Sequence, residues 1–152
     1  MAYPLALTEI IDFFESLSTE AERREALIAY AEGAAQHMPI ENEVYAVEDV
    51  RKDEGCLDSV GIFLTNDENV KIRIELGDKV QTLTRALTTI LCKSFSRSSL
   101  NEIANIDSSF VPRIVGAELM RQRSQTVYYV LERLREAATQ LLATSLPEII
   151  DP

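Results

Sequence analysis

Two cysteines and one histidine are the scarcest residues here whose types could do nucleophilic chemistry. Cys56 follows Gly55 in a polar, charge-dense stretch, RKDEGCLD, with no periodic apolar residues. A thiol in an exposed loop is an oxidation liability unless it is used or hidden. The preceding glycine permits a turn that a side chain would forbid. From position alone both readings of Cys56, used or merely concealed, stay open. Cys92 adjoins Ile90 and Leu91 on an apolar helical pattern and is expected to be a small core residue. His37, just ahead of Pro39, is expected on the surface, because a hydrolytic triad would need further partners that the sequence does not cluster around it. The cysteines stand 36 positions apart with no CxxC pattern, so a zinc or iron–sulfur centre built by this chain alone is not expected. Five glycines leave no glycine-rich phosphate loop.

The elements that must position Cys56 follow from periodicity. Val60, Ile62 and Leu64 share one parity with Phe63 opposite, as in a mostly buried strand. Val70, Ile72, Ile74 and Leu76 alternate with Lys71, Arg73 and Glu75, the pattern of a strand with one apolar face. Asn66 to Asn69 join the two as an antiparallel hairpin. A short strand over 44–50 precedes the cysteine loop. Leu7, Ile10, Ile11, Phe14 and Leu17 form one helical stripe, and Thr19 with Glu22 fits a capping box for a second helix ending near Gly33, with Leu27, Ile28 and Ala31 inward. Beyond Gly77 the chain reads as helical. Asp78 and Gln81 resemble a capping pair for a helix to about Ser94, and Ser99 with Glu102 caps a short one. Val111-Pro112 breaks the pattern, 114–120 form a helical turn, and a last helix runs from Arg123 to Ala143. The expected class is α+β, a small three-stranded antiparallel sheet packed against helices, as one domain over residues 1–152 with an ordered core from about 6 to 145.

Charge narrows the partners. The 152 residues carry a formal net charge of −10, and residues 1–60 hold 14 acids against 4 bases, while 61–152 balance. Nucleic acid is disfavoured, since phosphate binding rests on Lys and Arg. A basic protein surface would be drawn to the amino-terminal part, although a plain solvated face explains the same charge. No stretch has the length of a membrane span, and the start lacks the charged region of a signal peptide. A cytoplasmic location with reduced thiols is the expectation.

The chain also resembles the SufE family of accessory proteins that accept sulfur from a cysteine desulfurase during iron–sulfur cluster assembly. The resemblance covers roughly residues 8–143. The family pattern Gly-Cys-Gln-Ser-Gln-Val is met by Gly55, Cys56, Leu57, Asp58, Ser59 and Val60. Its Gly-Asp segment is met by Gly77-Asp78, an Asn-x-Asp by residues 105–107, and its Arg-Ser-Gln by Arg123, Ser124 and Gln125. Both family glutamines are replaced here, by Leu57 and Ser59, and the usual aromatic after the valine is Gly61.

The resemblance implies that Cys56 is the nucleophile that takes the sulfane sulfur and carries it as a persulfide. It implies that Gly55, Asp58, Asp78 and Arg123 meet the partner, and that the chain needs no cofactor, pyridoxal phosphate belonging to the desulfurase. A cluster scaffold protein is a further implied partner. The second reading is a noncatalytic binding module on the same fold. Asp53, Glu54 and Asp58 flank Cys56; a carboxylate at about 7 Å in water disfavours a thiolate by about 0.6 kcal/mol. The free protein is therefore expected to keep Cys56 protonated until docking.

Overall fold

A computed structural model describes residues 3–52, 58–124 and 126–145. Two helices open the chain, α1 (Leu5–Glu15) and α2 (Glu20–Glu32). Leu7, Ile10, Ile11 and Phe14 of α1 are buried at the expected spacing. Thr19 and Glu22 exchange side-chain and backbone bonds at the start of α2 and form the expected capping box. Leu27 points inward, but Ile28 is 51% exposed, contrary to expectation. Leu27 is the residue that α2 buries, so its stripe toward the core is too narrow to include Ile28.

The sheet comprises β1 (Val47–Arg51), β2 (Val60–Leu64) and β3 (Ile72–Leu76), in the order β1-β2-β3 and antiparallel throughout. The expected strand over 44–50 thus begins three residues later and reaches Arg51. Arg51 pairs with Val60 and Val60 with Leu76, so the termini of all three strands lie in register at one end of the sheet. Central β2 is buried at all five positions, whereas β3 buries Ile72 and Ile74 and leaves Glu75 outside, as its alternation requires.

Five helices follow: α3 (Thr82–Ser94), α4 (Leu100–Ala104), α5 (Val111–Val115), α6 (Ala117–Gln122) and α7 (Tyr129–Ser145). Helix α3 packs against α1, α2, α7 and β3, and its burial reaches nearly all round. The buried residues form one core cluster drawing on both helical hairpin and sheet. The α+β architecture is the one expected.

Three helix boundaries differ from the sequence reading. Asp78 caps nothing: α3 begins at Thr82 after Gln81, which makes no side-chain cap. Pro112 does not break the chain but occupies the first turn of α5, where the missing amide has no intrahelical partner to lose. The last helix starts at Tyr129 rather than Arg123. Arg123 instead terminates α6, and its carbonyl accepts from the amides of Thr126 and Val127 in a turn. Val127 is buried in that turn, so the apolar spacing runs through a non-helical segment unbroken. Gly116, at φ 87°, separates α5 from α6 in a conformation side chains rarely adopt.

Candidate functional site

Gly55 and Cys56 lie outside the described residues, between Lys52 and Asp58. Side-chain contacts hold the two strands that bracket them. On the β1 side Arg51 pairs with Glu136 of α7 and stands 3.5 Å from Asp49. On the β2 side the Asp58 carboxylate accepts from two amides, its own neighbour Ser59 at 2.7 Å and Lys79 at 3.0 Å. Those two bonds, the Lys79 amide foremost, hold the Asp58 carboxyl below the usual carboxylate range, so it is ionised at neutral pH.

The Lys79 bond ties the cysteine segment to the β3–α3 turn. That turn is itself fixed by Arg85, which donates to the carbonyls of Gly77 at 2.7 Å and Val80 at 3.1 Å. Gly77 is needed for close approach: a Cβ there would lie 2.2 Å from Cγ of Asp58. Its amide also donates to the Ser59 carbonyl at 2.9 Å, continuing the β2–β3 pairing by one bond.

Arg133 of α7 braces the other side. It is 3% exposed, and its guanidinium donates to the carbonyls of Asp49 on β1 at 2.7 Å and Val60 on β2 at 2.8 Å. It also donates to the Tyr129 hydroxyl at 2.8 Å. One side chain thus bonds both strands that carry the Cys56 segment. An arginine suits this place because its planar fork serves several acceptors at once.

The sequence reading missed Arg133, Arg85 and the packing role of Gly77. A signal existed for the first: Arg133 falls three residues after Val130 and four before Ala137, on the stripe that the last helix buries. Of the site residues expected, Asp58 and Asp78 meet in the same turn region. Asp78 is exposed there, and Asp58 is engaged by the Lys79 amide of the same chain. Arg123 is exposed and lines a separate cleft that also includes Gln81 and Thr82.

The remaining thiol and the imidazole are placed clearly. Cys92 is 2% exposed, and burial pushes its thiol up to about 12, as expected for a core residue. His37 is not a plain surface residue: it is half-buried, its Nε2 is sealed and unpaired among the described residues, and burial lowers its pKa, helped by Lys93 and Arg73. Among the described residues no group of three His, Cys, Asp or Glu side chains could hold a metal. No helix among them is long and apolar enough to cross a membrane.

A braced pair of strands flanking a Gly-Cys segment, packed against helices, defines a small α+β protein. The family comparison agrees. The model of the SufE family, an Fe-S metabolism associated domain, matches residues 8–138, and the chain belongs to that family. It is thereby associated with iron–sulfur metabolism, a setting consistent with a protein partner. Among solved structures, the solution structure of a hypothetical protein from Thermus thermophilus is similar, with a TM-score of 0.65 and 17% identity. The match covers 93% of this chain and 99% of that one, and shows a shared fold. No curated protein matches this sequence.

Proposed function

We propose that this chain accepts sulfur from a cysteine desulfurase on Cys56, stimulating the desulfurase and passing the sulfur toward cluster assembly. The Cys56 thiolate attacks the terminal sulfur of the desulfurase persulfide. The sulfur–sulfur bond of that persulfide breaks, its electron pair leaves with the desulfurase thiolate, and a persulfide forms on Cys56 with no outside oxidant. The terminal sulfur moves without change in the overall redox balance. The chain itself brings no cofactor to this step, the pyridoxal phosphate residing in the desulfurase. Both proteins meet in the cytoplasm on this reading, and a cluster scaffold protein is a recipient of the sulfur.

The burial of Cys92 carries the assignment. With its thiol pushed up to about 12, Cys92 offers almost no thiolate near neutral pH, which leaves Cys56 as the sulfur acceptor. The braces on Asp58 and Arg133 support it by fixing both ends of a segment that must reach into another protein. The test is mass spectrometry after incubation with a desulfurase and cysteine. One added sulfur is expected on the Cys56 peptide, lost in Cys56→Ser and kept in Cys92→Ser. An unmodified Cys56 peptide beside a persulfidated desulfurase overturns the proposal.

The replacement of the family glutamines by Leu57 and Ser59 favours a second reading, a binding module without sulfur transfer. It expects desulfurase binding that survives Cys56→Ser and no persulfide on this chain.

A further inference from the structure

A cleft of about 460 Å³ opens between α2, the start of α3 and the end of α6. Leu27, Leu83 and Leu119 give it an apolar floor, and Ile28, half exposed, adds an apolar side chain at its wall. Arg24 and Arg123 supply two cations to the same cleft. Arg24 is 3.5 Å from the Glu118 carboxylate, an exposed contact that water and an incoming acid can compete for. Arg123 is exposed and has no ion pair among the described residues. The third positive feature is the start of α3. This 13-residue helix has no side-chain cap and no acid in its first turn, so its free amides present the positive end of the helix dipole beside Gln81 and Thr82.

This concentration of positive potential lies in a chain of net charge −10. It therefore selects its occupant. We infer that the cleft docks a segment of the desulfurase that presents an apolar side chain next to a carboxylate. The apolar group covers Ile28 and the leucine floor, and the carboxylate lies between Arg24 and Arg123. The identity of the partner rests on the function proposed above; the chemistry of the segment rests on the cleft alone.

The cleft is linked through few residues to the chain that carries Cys56. Asp58 is two residues from Cys56 and bonds the Lys79 amide, and Lys79 is two residues from Gln81. With ~3.8 Å per residue step, these links span at most about 25 Å between Cys56 and the cleft wall. A partner footprint of ~800 Å² is about 30 Å across, wider than that span. Docking here would hold the desulfurase while its persulfide reaches Cys56, and the acidic first 60 residues would meet basic surface outside the cleft.

The test uses calorimetric titration of a cysteine desulfurase from the same organism with the Cys56→Ser protein, which separates docking from sulfur transfer. Ile28→Asp and the double variant Arg24→Glu with Arg123→Glu should each weaken binding at least tenfold. Arg24→Lys with Arg123→Lys should stay within threefold of the parent. All three replaced side chains are largely exposed, so thermal melts should coincide with the parent and exclude misfolding. Parental affinity in Ile28→Asp and in the charge-reversed variant overturns the inference, even if sulfur transfer to Cys56 is confirmed. Weakened binding without any persulfide on the wild-type chain supports the cleft and defeats the sulfur-carrier reading. Self-association of the parent that Ile28→Asp abolishes, without any change in desulfurase affinity, assigns the cleft to a second copy and overturns it too.

Discussion

Replacing Arg133 by Met should loosen the end of the sheet that carries Cys56 more than any surface change. The guanidinium satisfies the Val60 carbonyl inside the molecule and the Asp49 carbonyl and Tyr129 hydroxyl at partly buried places. Methionine fills a similar volume and bonds none of them. Both carbonyls belong to residues paired in the β1–β2 ladder, so losing these three bonds costs ~0.5–1.5 kcal/mol each rather than the penalty of an orphaned acceptor. Relief from burying the arginine charge offsets part of this loss. The net expectation is a destabilisation of about 2 kcal/mol, or a fall of about 4–8 °C in Tm for a chain of this size. Urea unfolding should show a lower midpoint with an unchanged slope. Amide exchange should accelerate most over Val47–Arg51, because β1 pairs with β2 alone within the sheet. Arg133→Lys, with one donor centre in place of a fork, should recover less than half. A loss below about 1 kcal/mol, or exchange that rises equally along the chain, would refute the idea that this side chain braces the two strands.

The other predictions concern titration and the turn beneath Asp58. In native protein at pH 8 a thiol reagent should modify one cysteine, and two in denaturant, because the Cys92 thiol is pushed up to about 12; fast modification of Cys92 in the folded chain would contradict its burial. Stability should fall as pH drops below about 6.5: the unfolded chain then protonates His37, while the folded chain, with its lowered pKa, resists. His37→Gln should flatten that part of the pH–stability curve, and an unaltered slope would remove His37 as its source. A second decline is expected below about pH 4.5, where Glu15, Glu43 and Asp58, all held below the usual carboxylate range, take up protons more readily once unfolded. Gly77→Ala should displace the Asp58 carboxylate from the Lys79 amide and cost ~1–3 kcal/mol by crowding; a substituted protein with wild-type stability and an intact Lys79 amide resonance would show that the turn yields freely.

Much of the fold was legible because its period is strong. The alternation from Val70 to Leu76 left one register for β3, since a slip by one residue would turn Ile72 and Ile74 to solvent. Both capping boxes appeared where hydroxyl and glutamate stand three apart. The misread boundaries share a cause: spacing of apolar residues reports burial and not backbone conformation. Val127 is buried in a turn, and Pro112 fits a first helical turn as well as a break. The site divides along the same line. The proposed nucleophile, Cys56, drew notice as Gly55-Cys56 in a polar stretch, because that depends on local sequence, although position alone left its use open. The braces were not visible, because Arg133 reaches strands 73 and 84 positions away and Asp58 an amide 21 positions on.

The interior position of Cys92 has one more consequence. Peroxide that reaches Cys56 converts a thiol to a sulfenic acid, and many thiol proteins recover by closing a disulfide with a neighbouring cysteine. The other cysteine here is sealed in the core and almost fully protonated. Rescue of an oxidised Cys56 must then come from a second molecule, such as glutathione, thioredoxin or, on the function proposed here, the desulfurase thiol. The chain would depend on the reducing capacity of its surroundings.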